Sequence, residues 1–171
     1  MKHPARSRVG RMARSRSMVA GNDLEIPMPF VSVTRLRLRS VRFLPSFFFH
    51  AVPSYRQARA APGFRDGSLL ADRSWTFWTL TLWDGQASMR AYMTSGDHRT
   101  AMPRLAGWCD EASVVHWDQE HGDLPSWTEA DRRMRAEGRP SKIRNPSPQH
   151  ADLSFRTPRL GLARPFQGRP G

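Results

Sequence analysis

Hydrophobic and polar positions alternate most cleanly between Trp75 and Trp83, W-T-F-W-T-L-T-L-W. Trp75, Phe77, Thr79, Thr81 and Trp83 fall on one side, and Thr76, Trp78, Leu80 and Leu82 on the other, with no charge in the run. Aromatic and β-branched residues at period two with no solvated face predict a central strand covered on both faces. Asp84-Gly85 ends it, with Asp84 expected as the N-cap of a helix whose period is carried by Ala87, Ala91 and Tyr92. Ser95-Gly96-Asp97 then interrupts or re-caps that helix just before His98.

The flanking pattern fits around this strand. Phe30 to Val41 predicts a first strand, with Leu36 and Leu38 on one face and Arg35, Arg37 and Arg39 on the other. Pro45 suits a helix start, and Leu44, Phe47, Phe48, Ala51, Val52, Tyr55 and Ala58 keep helical period to Ala61, with a kink expected at Pro53. Phe64 to Asp72 reads as an edge strand because it contains Gly67, and Asp72-Arg73-Ser74 as the turn into the Trp75 strand. The second helix should run to about Cys109 with a kink at Pro103, and Ser113 to Gln119 should form the fourth strand. The order β-α-β-β-α-β is the split βαβ, ferredoxin-like plan, α+β in class: a four-stranded antiparallel sheet with two helices on one face. So small a core favours burial against a second copy.

Three regions follow. Residues 1–28 read as a disordered basic extension, with some likeness to an organellar transit peptide and with Met18 or Met28 as alternative starts. Residues 29–121 are the ferredoxin-like domain. Residues 122–171 are a C-terminal appendage, in which Ser126-Trp127-Thr128-Glu129 is a capping box opening a short helix near 126–138 and the rest is a proline-rich tail, extended or disordered.

Charge changes this picture little. The net charge is +12, distributed as +4 over residues 1–30, +3 over 31–121 and +5 over 122–171. Most of the excess lies outside the predicted core, which argues against a nucleic-acid binder despite the high pI. The single cysteine, Cys109, excludes an intrachain disulfide and a multi-cysteine metal site. No apolar run approaches the roughly 20 residues of a membrane span, so a cytoplasmic protein without membrane contact is expected. Nucleotide-binding, serine-hydrolase and helical zinc motifs are missing from the sequence.

The βαββαβ order coincides with Thr81, Trp83, Ala87, Tyr92, Ser95 and His98, a series similar to the T-x-W-x-x-x-x-A-x-x-A-[YWF]-x-x-S-x-x-H pattern of the dimeric α/β-barrel superfamily. Ala87 stands one place early. The chain resembles an uncharacterised group within that superfamily, which includes the antibiotic-biosynthesis monooxygenases; the group is close in plan to spheroidene monooxygenases, and S-K-I-R-N-P-S-P-Q-H at 141–150 is similar to its tail. The resemblance implies a homodimer formed through facing sheets and a pocket between sheet and helices. It also implies oxygenation of aromatic or polyketide substrates without metal or flavin in some members, and haem binding in others. In the haem-degrading members the proximal histidine lies about one turn beyond His98, where this chain has Met102 and Pro103. No cofactor is therefore expected, and haem is the alternative.

The expected activity is monooxygenase-like, on a hydrophobic, aromatic or conjugated small molecule. His98 is the first candidate base, against a local capping role. His116, on one strand face with Asp118, is the second, against an exposed polar edge. Trp75, Phe77 and Trp83 would line the pocket. Arg35 and Arg37 would share their sheet face and either anchor an anionic group or meet carboxylates such as Asp66, Asp72 or Glu120. His50 and Cys109 read as packing residues. The alternative function is a non-catalytic, small-ligand-binding or structural dimer of the same fold.

Overall fold

The computed structural model describes residues 28–168. The basic extension therefore lies, except for Met28, outside the described residues. Strands β1 (Phe30–Leu38), β2 (Phe64–Asp72), β3 (Thr76–Trp83) and β4 (Cys109–Asp118) pair antiparallel in the order β4-β1-β3-β2. This is the expected ferredoxin-like sheet, extended at both edges. Arg139–Pro140 (β5) adds beside β4, and Ala163–Gln167 (β6) beside β2, giving six strands. The strand containing Gly67 is consequently not an edge. Phe166 of β6 lies directly over Gly67, where a Cβ would come within 2.4 Å of the ring. Glycine there is the condition for β6 to dock.

Helix α1 (Leu44–Ala60) contains Pro53 and packs against the sheet with α2 (Gln86–Met93) and α3 (Gly96–Trp108). Three helices thus stand where two were expected. The break falls at Gly96, whose φ of +52° is left-handed and whose missing Cβ leaves room for the Gln57 amide. Asp84 does not cap α2; its carboxylate accepts from Arg65 Nε at 2.6 Å, and Gly85 is the N-cap. β4 begins at Cys109, four residues earlier than its apolar pattern suggests.

Register decides which residues share a face. Arg35 sits opposite Trp78 and Ser113, and Leu36 opposite Phe77 and Ala112. Leu36, Leu38, Phe77 and Trp83 therefore face α1–α3, while Arg35 shares its face with Trp78, Leu80 and Leu82. The expected grouping of the arginines with Trp75, Phe77 and Trp83 was wrong by one residue of register. Trp75 lies outside β3, in the turn.

The sheet face away from α1–α3 is covered by the chain itself. Helix α4 (Trp127–Glu137) opens with Ser126 Oγ accepting from the Glu129 amide, as the capping box predicts, and buries Trp127, Ala130 and Met134 along one stripe. Together with Leu153 and Phe155 they cover Val31, Val33, Trp78, Leu80, Leu82, Val115 and Trp117. At about 1.5–3 kcal/mol for each large side chain removed from water, this is a principal source of stability. A dimer through this face is not compatible with α4 in place, since the surface a second copy would need is already buried.

Residues 141–168, expected to be extended or disordered, return along the sheet. His150 ties this segment to β4: its Nδ1 accepts from the Ala112 amide at 3.4 Å and its Nε2 donates to the Ser141 carbonyl at 3.1 Å. No helix among the described residues is long and apolar enough to cross a membrane.

Gly67→Ala should destabilise the protein by about 1–3 kcal/mol by overpacking, with amide protection lost first at residues 163–167 in hydrogen exchange. Adding Phe166→Ala should recover most of that loss; equal additive losses would show that the Phe166 contact is not what requires glycine.

Candidate functional site

The two arginines of β1 meet carboxylates, but not the expected ones. The early start of β4 brings Asp110 and Glu111 opposite them. Arg35 Nη1 donates to Glu111 Oε2 at 2.5 Å, with both side chains almost fully buried (7% and 4% exposed). Arg37 bonds both oxygens of Asp110 at 2.8 and 3.0 Å and reaches Glu111 Oε1 at 2.8 Å. Ser147 Oγ donates to the same Oε1 at 3.0 Å. Burial pulls the Arg35 pKa below its ordinary value, against the opposing pull of Glu111. Its guanidinium lies 4.1 Å from the centroid of Phe155, which also carries Arg135 at 4.4 Å. The charges at Arg35 and Arg37 are thus matched within the chain, so an anionic substrate group has no unpaired cation to meet there.

The residues of the superfamily-like pattern form one connected packing chain. Thr81 Oγ1 donates to the Ser32 carbonyl at 3.2 Å and accepts from Trp83 Nε1 at 3.0 Å. The Trp83 ring stacks on Tyr92, with centroids 5.2 Å apart and planes at 26°. Tyr92 donates its hydroxyl to the Ser54 carbonyl at 3.3 Å and lies 4.6 Å from the His98 ring. Burial pushes the Tyr92 phenol far above its usual pKa. Gln57, which no sequence spacing singled out, joins the parts: its Nε2 donates to Ser95 Oγ at 3.1 Å, and its Oε1 accepts from the His98 amide at 2.9 Å.

His98 stands in the first turn of α3. Its Nδ1 lies 3.2 Å from the Met93 carbonyl, so in the neutral ring that nitrogen carries the proton and the Nε2 lone pair is the basic one. Nε2 makes no hydrogen bond among the described residues. Burial lowers the His98 pKa, partly offset by the Met93 hydrogen bond. His116 lies on the helix-side face of β4, against Phe30 at 5.7 Å. Its pKa is also lowered, by burial and then by Arg139 and Arg90. No hydrogen bond joins it to Asp118 among the described residues.

An open groove of about 550 Å3 runs between the end of α1 and α2. Ala60, Ala87 and Ala91 form apolar walls, and Gln57, Tyr92 and Ser95 bring polar atoms. His98 is not a lining residue; it touches the groove through Tyr92. The aromatic residues expected to line a common pocket do not converge. Trp83 is fully buried beside Met89, Phe77 stacks on Phe47 at 4.7 Å, and Trp75 is exposed in the β2–β3 turn. Cys109 is buried, its thiol pKa pushed up to about 12 by burial and by Asp110. Among the described residues no three His, Cys, Asp or Glu side chains are grouped to hold a metal. His98 does not line the groove, and Met102 lies exposed one turn beyond His98.

Because the folded His98 and His116 pKa values lie below 6.5, the unfolded chain binds protons more readily than the native one. Stability from these groups is complete above that pH and falls as pH drops through it. Urea midpoints should decline from pH 7.5 to pH 5.5, and His98→Gln with His116→Gln should flatten the decline. An unchanged slope in the double variant would assign it to other groups. Separately, Glu111→Gln should cost about 3–5 kcal/mol in urea unfolding by leaving Arg35 buried without its counter-ion.

Among curated proteins none matches the sequence. The structure is similar to an assigned antibiotic biosynthesis monooxygenase from Nitrosomonas europaea, at 14% identity and TM-score 0.49, over 54% of this chain and 91% of that one. It is also similar to SnoaB, a cofactor-independent oxygenase from Streptomyces nogalater, at 15% identity and TM-score 0.46, over 58% and 99%. A dimeric ferredoxin-like protein of unknown function from Thermobifida fusca is similar at 17% identity and TM-score 0.42, over 54% and 92%. Residues 41–142, from the turn before α1 to just beyond β5, match the family described as Domain of unknown function (DUF3291), and the chain belongs to that family.

Proposed function

We propose that this protein is a monooxygenase-like enzyme that takes a hydrophobic, aromatic or conjugated small molecule in the groove between α1 and α2, without a metal or flavin. The observation that supports this reading is the placing of His98 directly behind Tyr92, a lining residue of the groove, with its Nε2 lone pair uncommitted. The alanine walls suit a flat apolar ring, and Gln57 and Ser95 can orient a hydroxyl or carbonyl on it. His98 Nε2, which does not itself line the groove, would take the substrate's acidic proton through one intervening water. The carbanion or phenolate then supplies electrons to O2, a C–O bond forms, and loss of water from the resulting hydroperoxide leaves a carbonyl. The chain's own part is binding, orientation and a positioned base.

A second reading, a binding protein without catalysis, is favoured by one specific observation. Thr81, Trp83, Tyr92 and Ser95 are all engaged in packing contacts and hydrogen bonds within the chain.

Oxygen uptake with a panel of conjugated phenols, alongside fluorescence titration of the same compounds, separates the two. The enzyme reading expects uptake that falls by about 10²–10⁴ in His98→Gln, with affinity retained. Uptake should also rise with pH and level off at lower pH than an unperturbed histidine would set, since burial lowers the His98 pKa. Binding without uptake identifies the second reading. Binding that persists in Ala91→Trp, which fills the groove, would remove the groove from both.

A further inference from the structure

We propose that the end of the molecule carrying the β2–β3 turn is a docking surface for an anionic lipid bilayer. Among the described residues, six of the ten large apolar side chains left exposed lie on the segments that meet at this end: Val41, Phe48, Phe49, Trp75, Leu160 and Leu162. Contacts bring those segments together. The Leu38 amide at the end of β1 donates to the Trp75 carbonyl at 3.1 Å, and Phe48 packs edge-on against Phe77, two residues beyond Trp75, at 5.5 Å. Arg159, just before Leu160, donates its amide to Asp72 at the end of β2. Phe49 is 75% exposed, and Trp75 48%. The helical period had marked Phe48 and Val52 as core residues; both stand in solvent.

The turn holds Trp75 outward at a conformational cost. Ser74 and Trp75 have φ of 56° and 57°, a region that side chains other than glycine, asparagine or aspartate rarely enter. These two residues are the central pair of the tight hairpin turn that the Thr76 amide closes on the Arg73 carbonyl, and the turn leaves the Trp75 ring half in water.

Charge selects the occupant. Arg39 and Arg42 follow β1 at this end, and Arg159 directly precedes Leu160. Arg39 and Arg42 both lie over the Phe43 ring, at 4.7 and 4.8 Å. Along with Arg159 they are exposed and have no carboxylate partner among the described residues. The carboxylates nearest this end, Asp72 and Asp110, face Arg73 and Arg37. Exposed apolar side chains next to guanidinium groups without a carboxylate partner match a membrane surface, where the rings enter the acyl boundary and the arginines meet phosphates. A second copy would bring like charges together across the same patch. A nucleic acid would leave Val41 and the leucines without a partner, since they offer no ring to stack on.

Co-sedimentation of the full chain with vesicles tests this. Vesicles of phosphatidylcholine alone would be compared with an equal mixture of phosphatidylcholine and phosphatidylglycerol. The proposal expects salt-sensitive binding to the mixture and little to phosphatidylcholine. Phe49→Ser with Trp75→Ser should weaken it by about tenfold or more, and Arg39→Gln with Arg42→Gln by about fivefold per charge. Met28→Ser, at an exposed apolar site on the opposite end of β1, should change nothing. All of these positions are exposed, and thermal midpoints check that the variants fold. Equal binding to both vesicles would overturn the proposal, as would binding that ignores Phe49 and Trp75. So would a dimer, or affinity for a mixed-sequence single-stranded oligonucleotide, that is lost in the Phe49–Trp75 double variant.

Discussion

A sheet that is apolar on both faces has to be covered twice, and that requirement shapes this molecule. β1 and β3 put Val31, Val33, Trp78, Leu80 and Leu82 on one face and Phe30, Leu36, Phe77 and Trp83 on the other. Helices α1–α3 cover the second set. The first is covered by α4 and Phe155, and the buried Arg35–Glu111 pair lies at the margin of that layer. A buried ion pair adds little net stability on its own, but removing either member leaves the other charge stranded in the core. Here it also fixes position: Glu111 holds Arg35, Arg37 and Ser147 at once, so the returning C-terminal segment is tied to the same carboxylate as β1.

The covering changes what the fold can be used for. Ferredoxin-like sheets with a bare second face bury it against another subunit or around a ligand. In this chain Ala130, with no exposed surface, brings α4 close to the sheet, and Trp127 and Met134 fill the space on either side. On the helix side the interior is filled by Trp83, Met89 and Ala58. The open groove between the end of α1 and α2 lies outside that packing, and small residues border it.

Strand identities and the capping box of α4 were legible because they are local: period-two runs, turn residues, and a serine three places before a glutamate. The ferredoxin-like order followed from them. The faces were not legible. Leu36 and Leu38 alternate with arginines, so the apolar pattern alone puts the arginines towards solvent or an interface; only the register against Trp78 and Ser113 reveals that Arg35 is interior. The carboxylate partners were missed for the same reason, because Cys109-Asp110-Glu111 has no strand-like apolar pattern and joins β4 only through pairing with Leu38 and Arg37. Similarly, the proline-rich tail gives no local sign that Phe166 will settle over Gly67. At the candidate site the spaced residues Thr81, Trp83, Tyr92, Ser95 and His98 lie together, while Gln57, which links two of them, comes from a distant helix and has no pattern of its own.

That spacing also separates fold from chemistry. Trp83 and Tyr92 are buried and stacked, and their polar atoms are spent on Thr81 and the Ser54 carbonyl, so substituting either disturbs packing before anything else. His98 is different. Its backbone amide is held by Gln57 and its Nδ1 by a main-chain carbonyl, both contacts that leave Nε2 uncommitted. A residue fixed by its backbone and one ring nitrogen can lose the other nitrogen's function with little loss of fold. Chemistry at this position, if present, is therefore separable from the architecture, and the same pattern can persist in a chain whether it catalyses or only binds.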